Sequence, residues 1–395
     1  MKSFIIHNIM ANNRQLLFVI TVIILLSIIT SACGNGAGEI GEDFPSDKLD
    51  APLENSADTG ESGSDSTSTP PVINPLTGLP VDDPQRLERR PVMVKVSNFP
   101  REGRPHAGLS FADIVFDYYI GYGSNRFLAL FYGKDAYKIG PLRSGRRVDA
   151  ELVTMYNGVL GYGSADEDTD AILVSALGEY ALSHLEAECP AFCGSDTHSA
   201  TGVFANSGGI SAHVNSMGWE NNKPDLPGMV FNDQPPDDMQ PADQVNILFN
   251  FYNRAEWYYD PASGKYLRWI EFIENEGEEN EIMDMITLTD RLTGEQLAFS
   301  NIVILYAHYT ELAPSAHEIE IWGNKNGLPA YLFRDGGMVS GEWVSTNDSD
   351  PIQLTNLDGD PMVLKPGNTW IVITGLSSSF SQIQPGHWET FFFLP

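Results

Sequence analysis

Between Leu16 and Ile29 the chain is an almost unbroken apolar run of 14 residues, preceded by Lys2 and Arg14. A helix that spans a bilayer needs roughly 20 apolar residues, whereas the core of a secretory leader needs only about 7–15. The run closes in Thr30-Ser31-Ala32-Cys33-Gly34, small residues ahead of a cysteine, as in the lipobox of bacterial lipoproteins. Thr30 stands where that box usually has leucine, and Gly34 leaves no aspartate retention signal. Residues 1–32 are therefore expected to be a lipoprotein signal peptide. Cys33 is the expected lipidation site, holding the chain by a lipid anchor at the extracytoplasmic face of the bacterial cell membrane.

Residues 33–72 cannot collapse. They are mainly Gly, Ser, Asp, Glu, Thr and Pro, with nine acids against the single Lys48. So little apolar surface does not offset the entropy of ordering, and the segment reads as an acidic, disordered tether that spans tens of Å as a flexible coil. The remaining body can fold. Of 395 residues, 42% are hydrophobic and 19% charged, ordinary values that exclude both a mostly disordered chain and a polytopic membrane protein. A formal charge of −30 excludes nucleic acid as a partner, because phosphates would be repelled. Three cysteines exclude a disulfide miniprotein and a four-cysteine zinc module.

Within the body, apolar runs at Pro91–Val96, Ile114–Tyr119, Arg126–Tyr132 and Gly158–Tyr162 read as strands. Val148–Tyr156 and Thr169–Leu185 have helical patterns. From Gln244 the texture changes to short β-rich runs punctuated by glycines, as at Val245–Phe251, Tyr266–Ile270, Ile302–Tyr309 and Thr369–Ile373. The expected fold class is α+β, with a mixed α/β N-terminal domain over 73–230, a Pro-Asp-rich linker over 231–242 and a β-rich C-terminal domain over 243–395. Gly121-Tyr122-Gly123-Ser124 and Gly161-Tyr162-Gly163-Ser164 are two similar glycine-rich strand ends. Arg126 and Asp166 stand where a dinucleotide fingerprint would have its third glycine.

Several segments together resemble the YerB family of bacterial lipoproteins, which has two domains of unknown function. They include Asn74-Pro75-Leu76-Thr77-Gly78-Leu79, Arg90-Pro91-Val92-Met93-Val94 and Arg104-Pro105-His106-Ala107-Gly108-Leu109. Most specific is Ile139-Gly140-Pro141-Leu142-Arg143-Ser144-Gly145-Arg146, and Tyr258-Tyr259-Asp260 and Gly367-Asn368-Thr369-Trp370-Ile371 extend the likeness into the second half. Where the family tends to have Glu-Gly-Gly and Pro-His-Asn, this chain has Gly121-Tyr122-Gly123-Ser124-Asn125 and Thr197-His198-Ser199. The resemblance implies fold and location. It implies no reaction.

Charge segregation carries the clearest chemical signal. Arg86 to Arg147 holds twelve Lys or Arg and five acids, so this stretch is positive inside a strongly negative chain. Nine of the twelve are arginines, whose planar fork captures carboxylate or phosphate in bidentate fashion. One reading is an anion-binding groove around Arg126, Arg143, Ser144 and Arg146. The other is internal pairing with the acidic second half or with the acidic linker. Gly140-Pro141 reads either as a turn that presents Arg143 and Ser144 at a strand-to-helix junction, or as plain turn punctuation with Ser144 as a helix N-cap. His198 is the candidate general base if there is catalysis. Cys189 and Cys193 are the candidate disulfide. The acids Asp166–Asp170 suit a helix N-terminus, and Glu271–Glu281 a solvated hairpin; no metal and no cofactor are expected. These features favour a non-catalytic binding or scaffolding protein of the cell envelope, recognising an anionic wall polymer or a membrane-protein partner. The alternative is an enzyme acting on wall material, with an arginine-lined pocket and His198 as base.

Cys33 yields a direct test. Metabolic labelling with a fatty-acid analogue should mark the wild-type chain and fail to mark Cys33→Ala. Equal labelling of both would exclude lipidation at this residue.

Overall fold

Pro91 has no N–H for a ladder, and the six residues after it, Val92–Ser97, are all buried, as in a strand covered on both faces. This strand, β1, organises the helical half. Its neighbours there are the hairpin β2 (Ile114–Gly121) and β3 (Ser124–Phe131), then β4 (Val159–Tyr162) and β5 (Ala181–Ser183). Three helices complete this half: α1 (Arg147–Met155), α2 (Glu167–Leu177) and α3 (Ser207–Ser216). The computed structural model describes residues 70–194, 201–277 and 280–394. Among these no helix is long and apolar enough to cross a membrane. Cys33 and His198 lie outside the described residues.

The second half is strand-rich. It supplies β6 (Gln244–Asn250), β7 (Asn253–Asp260), β8 (Lys265–Glu274), β9 (Asn301–Ala313), β10 (Leu328–Arg334) and β11 (Gly337–Val344). It closes with β12 (Gln353–Thr355), β13 (Thr369–Gly375), β14 (Ser379–Gln384) and β15 (His387–Phe391). The fold is α+β, with helices in the N-terminal half and a β-rich C-terminal half.

One large sheet runs through both halves in the order β12-β11-β10-β9-β13-β2-β3-β1-β4-β5. Its junction is β13, parallel to both neighbours, with Ile371 opposite Val303 of β9 and Phe116 of β2. All seven residues of β13 are buried. A second sheet places Ile282–Thr287 and β8-β7-β6-β15-β14 in sequence. The face between the sheets is aromatic: Trp370 of β13 lies 5.0 Å from Phe127 of β3 and 5.3 Å from Trp257 of β7.

Arg268 of β8 sits inside this aromatic face, 1% exposed. Its guanidinium carbon is 4.1 Å from the Trp370 ring, 4.9 Å from Trp257 and 5.4 Å from Phe127. Its counter-charge is Asp117 of β2, at 3.5 Å. The Asp117 carboxylate also accepts from Trp370 Nε1 at 3.2 Å and from Asn125 Nδ2.

Two local expectations change. The helical pattern expected over Thr169–Leu185 stops at Leu177, because Gly178 leaves helical space with φ 58° and Ala181–Ser183 then joins the sheet as β5. In the acidic stretch that begins at Glu271, the first residue is not solvated. Glu271 is 1% exposed and accepts from Arg104 at 2.9 Å.

Arg268→Met should destabilise the chain by about 3–5 kcal/mol, since it leaves Asp117 buried and uncompensated. Adding Asp117→Asn should return part of that loss, so the double change costs less than the sum of the singles. Urea unfolding followed by tryptophan fluorescence checks this. Additive losses would mean the two groups do not act as a pair.

Candidate functional site

The pairing of β1 with β4 covers only Val92–Val94 against Val159–Gly161. Beyond it the strands separate, and the segment Pro141–Gly145 enters the gap. Ser97 N donates to Pro141 O at 2.8 Å and Arg143 N to Lys95 O at 3.0 Å, while Gly163 N donates to Arg143 O at 2.9 Å. The sharp entry depends on Gly140, whose φ is 144° and where a Cβ would stand 2.8 Å from Leu142 N. The site thus lies at the carboxyl ends of β1 and β4, beside the N-terminus of α1 and that of α2. Open α/β sheets receive ligands at that position.

Four cations meet there. Arg126 of β3 donates to Ser144 O at 2.8 Å, Arg143 to Ser97 Oγ at 3.1 Å and Phe99 O at 3.2 Å, and Arg146 to Gly145 O at 2.8 Å. Ser144 Oγ lies 3.3 Å from Ser164 Oγ. The side chains of Arg126, Arg143, Ser144 and Arg146 are all partly exposed, so a solute can reach them. Beneath them, fully buried, Lys95 Nζ is 3.0 Å from Asp149 Oδ1. Lys95 also donates to the Tyr118 hydroxyl, which donates in turn to Asp149. The second Asp149 oxygen accepts from Arg146 N at 2.7 Å. The one buried carboxylate is thus fully engaged by its neighbours.

Burial is the main influence on the ionisation of these groups. Burial, then the nearby Arg146 and Arg143, pushes Arg126 down to about 9. Burial pushes Lys95 down to about 7; Asp149 opposes this, while Arg126 and Arg146 reinforce it. Arg143 is lowered by burial and by Arg146, and Arg146 is lowered by burial against the pull of Asp149.

The basic stretch divides cleanly. Arg86 and Arg89 meet Asp135, Arg101 and Arg104 meet Glu271, and Arg147 meets Glu318. Arg126, Arg143 and Arg146 make no ion pair among the described residues. Internal pairing with the acidic second half therefore accounts for Arg101, Arg104 and Arg147 but not for the three candidate arginines. Ser144 is not the N-cap: α1 begins at Arg147 with Arg146 in the capping position, and Ser144 turns to Ser164 instead.

Sequence reasoning missed Lys95, Tyr118 and Asp149. A signal was present, because a lysine stands at the centre of the apolar run Val92–Val96. His184, at the end of β5, has its ring against the Gly163 carbonyl beside this site. Asp166 caps α2 by accepting from Thr169 N at 3.0 Å. Cys189 and Cys193 form a disulfide, with Cα atoms 4.8 Å apart.

Residues 76–220 match the N-terminal domain model, and residues 245–371 the C-terminal domain model, of a protein family of unknown function, DUF3048. The protein named "Putative lipoprotein YerB" of Bacillus subtilis (strain 168) is 27% identical over 308 residues, covering 76% of this chain and 85% of its own. The crystal structure of YerB from Bacillus subtilis aligns with a TM-score of 0.61 at 25% identity. That alignment covers 77% of this chain and 96% of the crystal chain.

Lys95 generates a pH test. Its folded pKa of about 7 lies below the ordinary 10.5, so between these values the unfolded chain binds more protons than the folded one. The contribution of Lys95 to stability therefore rises with pH across that window. The unfolding free energy of wild type minus that of Lys95→Met should increase from about pH 7 towards pH 10. A flat or falling difference would mean that Lys95 is not held in a disfavoured charged state.

Proposed function

The chain belongs to the two-domain YerB-like family, and from that premise we propose that it is an extracytoplasmic lipoprotein, anchored through Cys33, that binds an anionic cell-wall polymer without catalysis. The 33–72 tether holds the body off the membrane, with the first and second domains spanning 73–230 and 243–395. The name of the Bacillus subtilis relative supports the lipoprotein part of this reading.

The observation that carries the binding part is that Arg126, Arg143 and Arg146 make no ion pair among the described residues. All three are oriented by carbonyl oxygens, which fixes their forks. Fixed guanidinium groups suit repeated phosphate or carboxylate groups, and both occur on extracytoplasmic bacterial polymers. Binding is supported because the three arginines are oriented donors that a solute can reach.

Isolated cell walls should retain the tether-free body at low salt and release it as sodium chloride rises, because exposed charge interactions are screened. Arg143→Ala and Arg146→Ala should each weaken retention about tenfold, the usual scale for one charged hydrogen bond. Retention that ignores both salt and these substitutions would overturn the polymer reading and favour a protein partner.

A further inference from the structure

The other end of the large sheet holds a different constellation. β2, β13 and β9 run parallel and begin level with one another, Ile114 opposite Thr369 and Thr369 opposite Asn301. The residues that precede them, Asp113, Asn368 and Ser300, line a cavity of about 420 Å³. Lys134, Lys265 and Lys365 line it as well, together with the hydroxyl-bearing Thr77 and Ser110.

The three lysines differ in how they are partnered. Lys365 is paired with Asp335 and donates to Gly264 O at 2.8 Å. Lys134 is exposed and Lys265 half-buried, and neither has an ion pair among the described residues. Asp113 lines the cavity and interacts with Lys134, but its oxygens are occupied, accepting from Asn74 Nδ2 at 3.0 Å, Tyr132 N at 2.6 Å and Gly133 N at 2.9 Å. Asp82 also lines the cavity and is exposed. Burial and the repulsion of Lys134 and Lys365 both lower the affinity of Lys265 for its proton. Like charges held around one hollow are unfavourable until a counter-charge enters it.

We propose that this cavity is a second anion site, separate from the arginine cluster, which takes a phosphate group either free or as the monoester of a small molecule. Lys134 and Lys265 supply the charge. Ser110, Ser300 and Asn368 supply short polar contacts around a tetrahedral oxyanion. Ammonium groups act as point charges and suit such an ion, whereas the planar forks at the arginine cluster suit flat or repeated acceptors. The volume exceeds what bare phosphate needs, so a monoester fills it better.

The test is calorimetric titration of the body with inorganic phosphate and with glycerol phosphate, at constant ionic strength. Saturable binding is expected for both, with glycerol phosphate the tighter. Lys134→Gln and Lys265→Gln should each weaken it about tenfold. Asp82→Asn should strengthen it, and Arg143→Gln with Arg146→Gln should leave it unchanged. Phosphate alone binding as tightly as the monoester would assign the site to the free ion. No saturable binding to wild type, or binding to Lys134→Gln equal to that of wild type, would overturn the proposal. Loss of binding in the arginine double variant instead would assign the anion to the other cluster.

Discussion

The arrangement turns on one cation. Arg268 is removed from water among Trp257, Trp370 and Phe127, and answered by Asp117 across the space between the two sheets. An isolated charge at such depth would be very costly, and a desolvated cation over three aromatic faces recovers a few kcal/mol at most. Asp117 is therefore required, although burial pushes its own pKa up to about 6, against the pull of Arg268 and of the donors from Asn125 and Trp370. The requirement is geometric as well. β2, β3 and β13 of the large sheet must face β7 and β8 of the other in one register for these groups to meet. Hydrophobic burial alone would tolerate sliding; a buried ion pair does not.

From Asp117 the polar contacts continue along the interface. Asn125 connects to Asn98 at 2.6 Å and Asn253 at 3.1 Å, and Asn98 to Arg104 at 3.1 Å. Arg104 ends on the buried Glu271. Asp290 closes the same loop by accepting from Gly108 N at 2.9 Å and Ser110 N at 2.8 Å. The loop around Arg104-Pro105-His106 is thus fastened to the second half. This explains why arginines from one short basic stretch have different fates. Those that face β8 are neutralised and structural. Those at the ends of β1 and β4 make no ion pair among the described residues, and the neighbouring segment Pro141–Gly145 gives them carbonyl oxygens instead.

How much of this was legible in the sequence depends on range. Strands such as Val92–Ser97 and Thr369–Gly375 announce themselves, because a strand buried on both faces must be continuously apolar. The end of α2 was misread because the apolar pattern runs past Gly178, and only the backbone of that glycine stops the helix. Arg126, Arg143 and Arg146 were identifiable as a group by composition. Their separation from Arg101 and Arg104 was not, since that depends on Glu271 more than a hundred residues away. Lys95 and Asp149 belong to the same class: each is charged within an apolar element, and their partnership spans 54 residues.

The charge distribution then makes physical sense of a protein that is strongly negative overall and yet locally positive. At physiological salt an exposed charge is felt over about 8 Å, so acids farther away than that do not cancel a cation cluster. A polyanion is repelled by most of the surface and attracted only where fixed guanidinium groups outnumber acids. Such a field selects by position as well as by sign. Beneath the three arginines, Lys95 and Tyr118 both engage Asp149, so this buried carboxylate is shared with groups below the cluster.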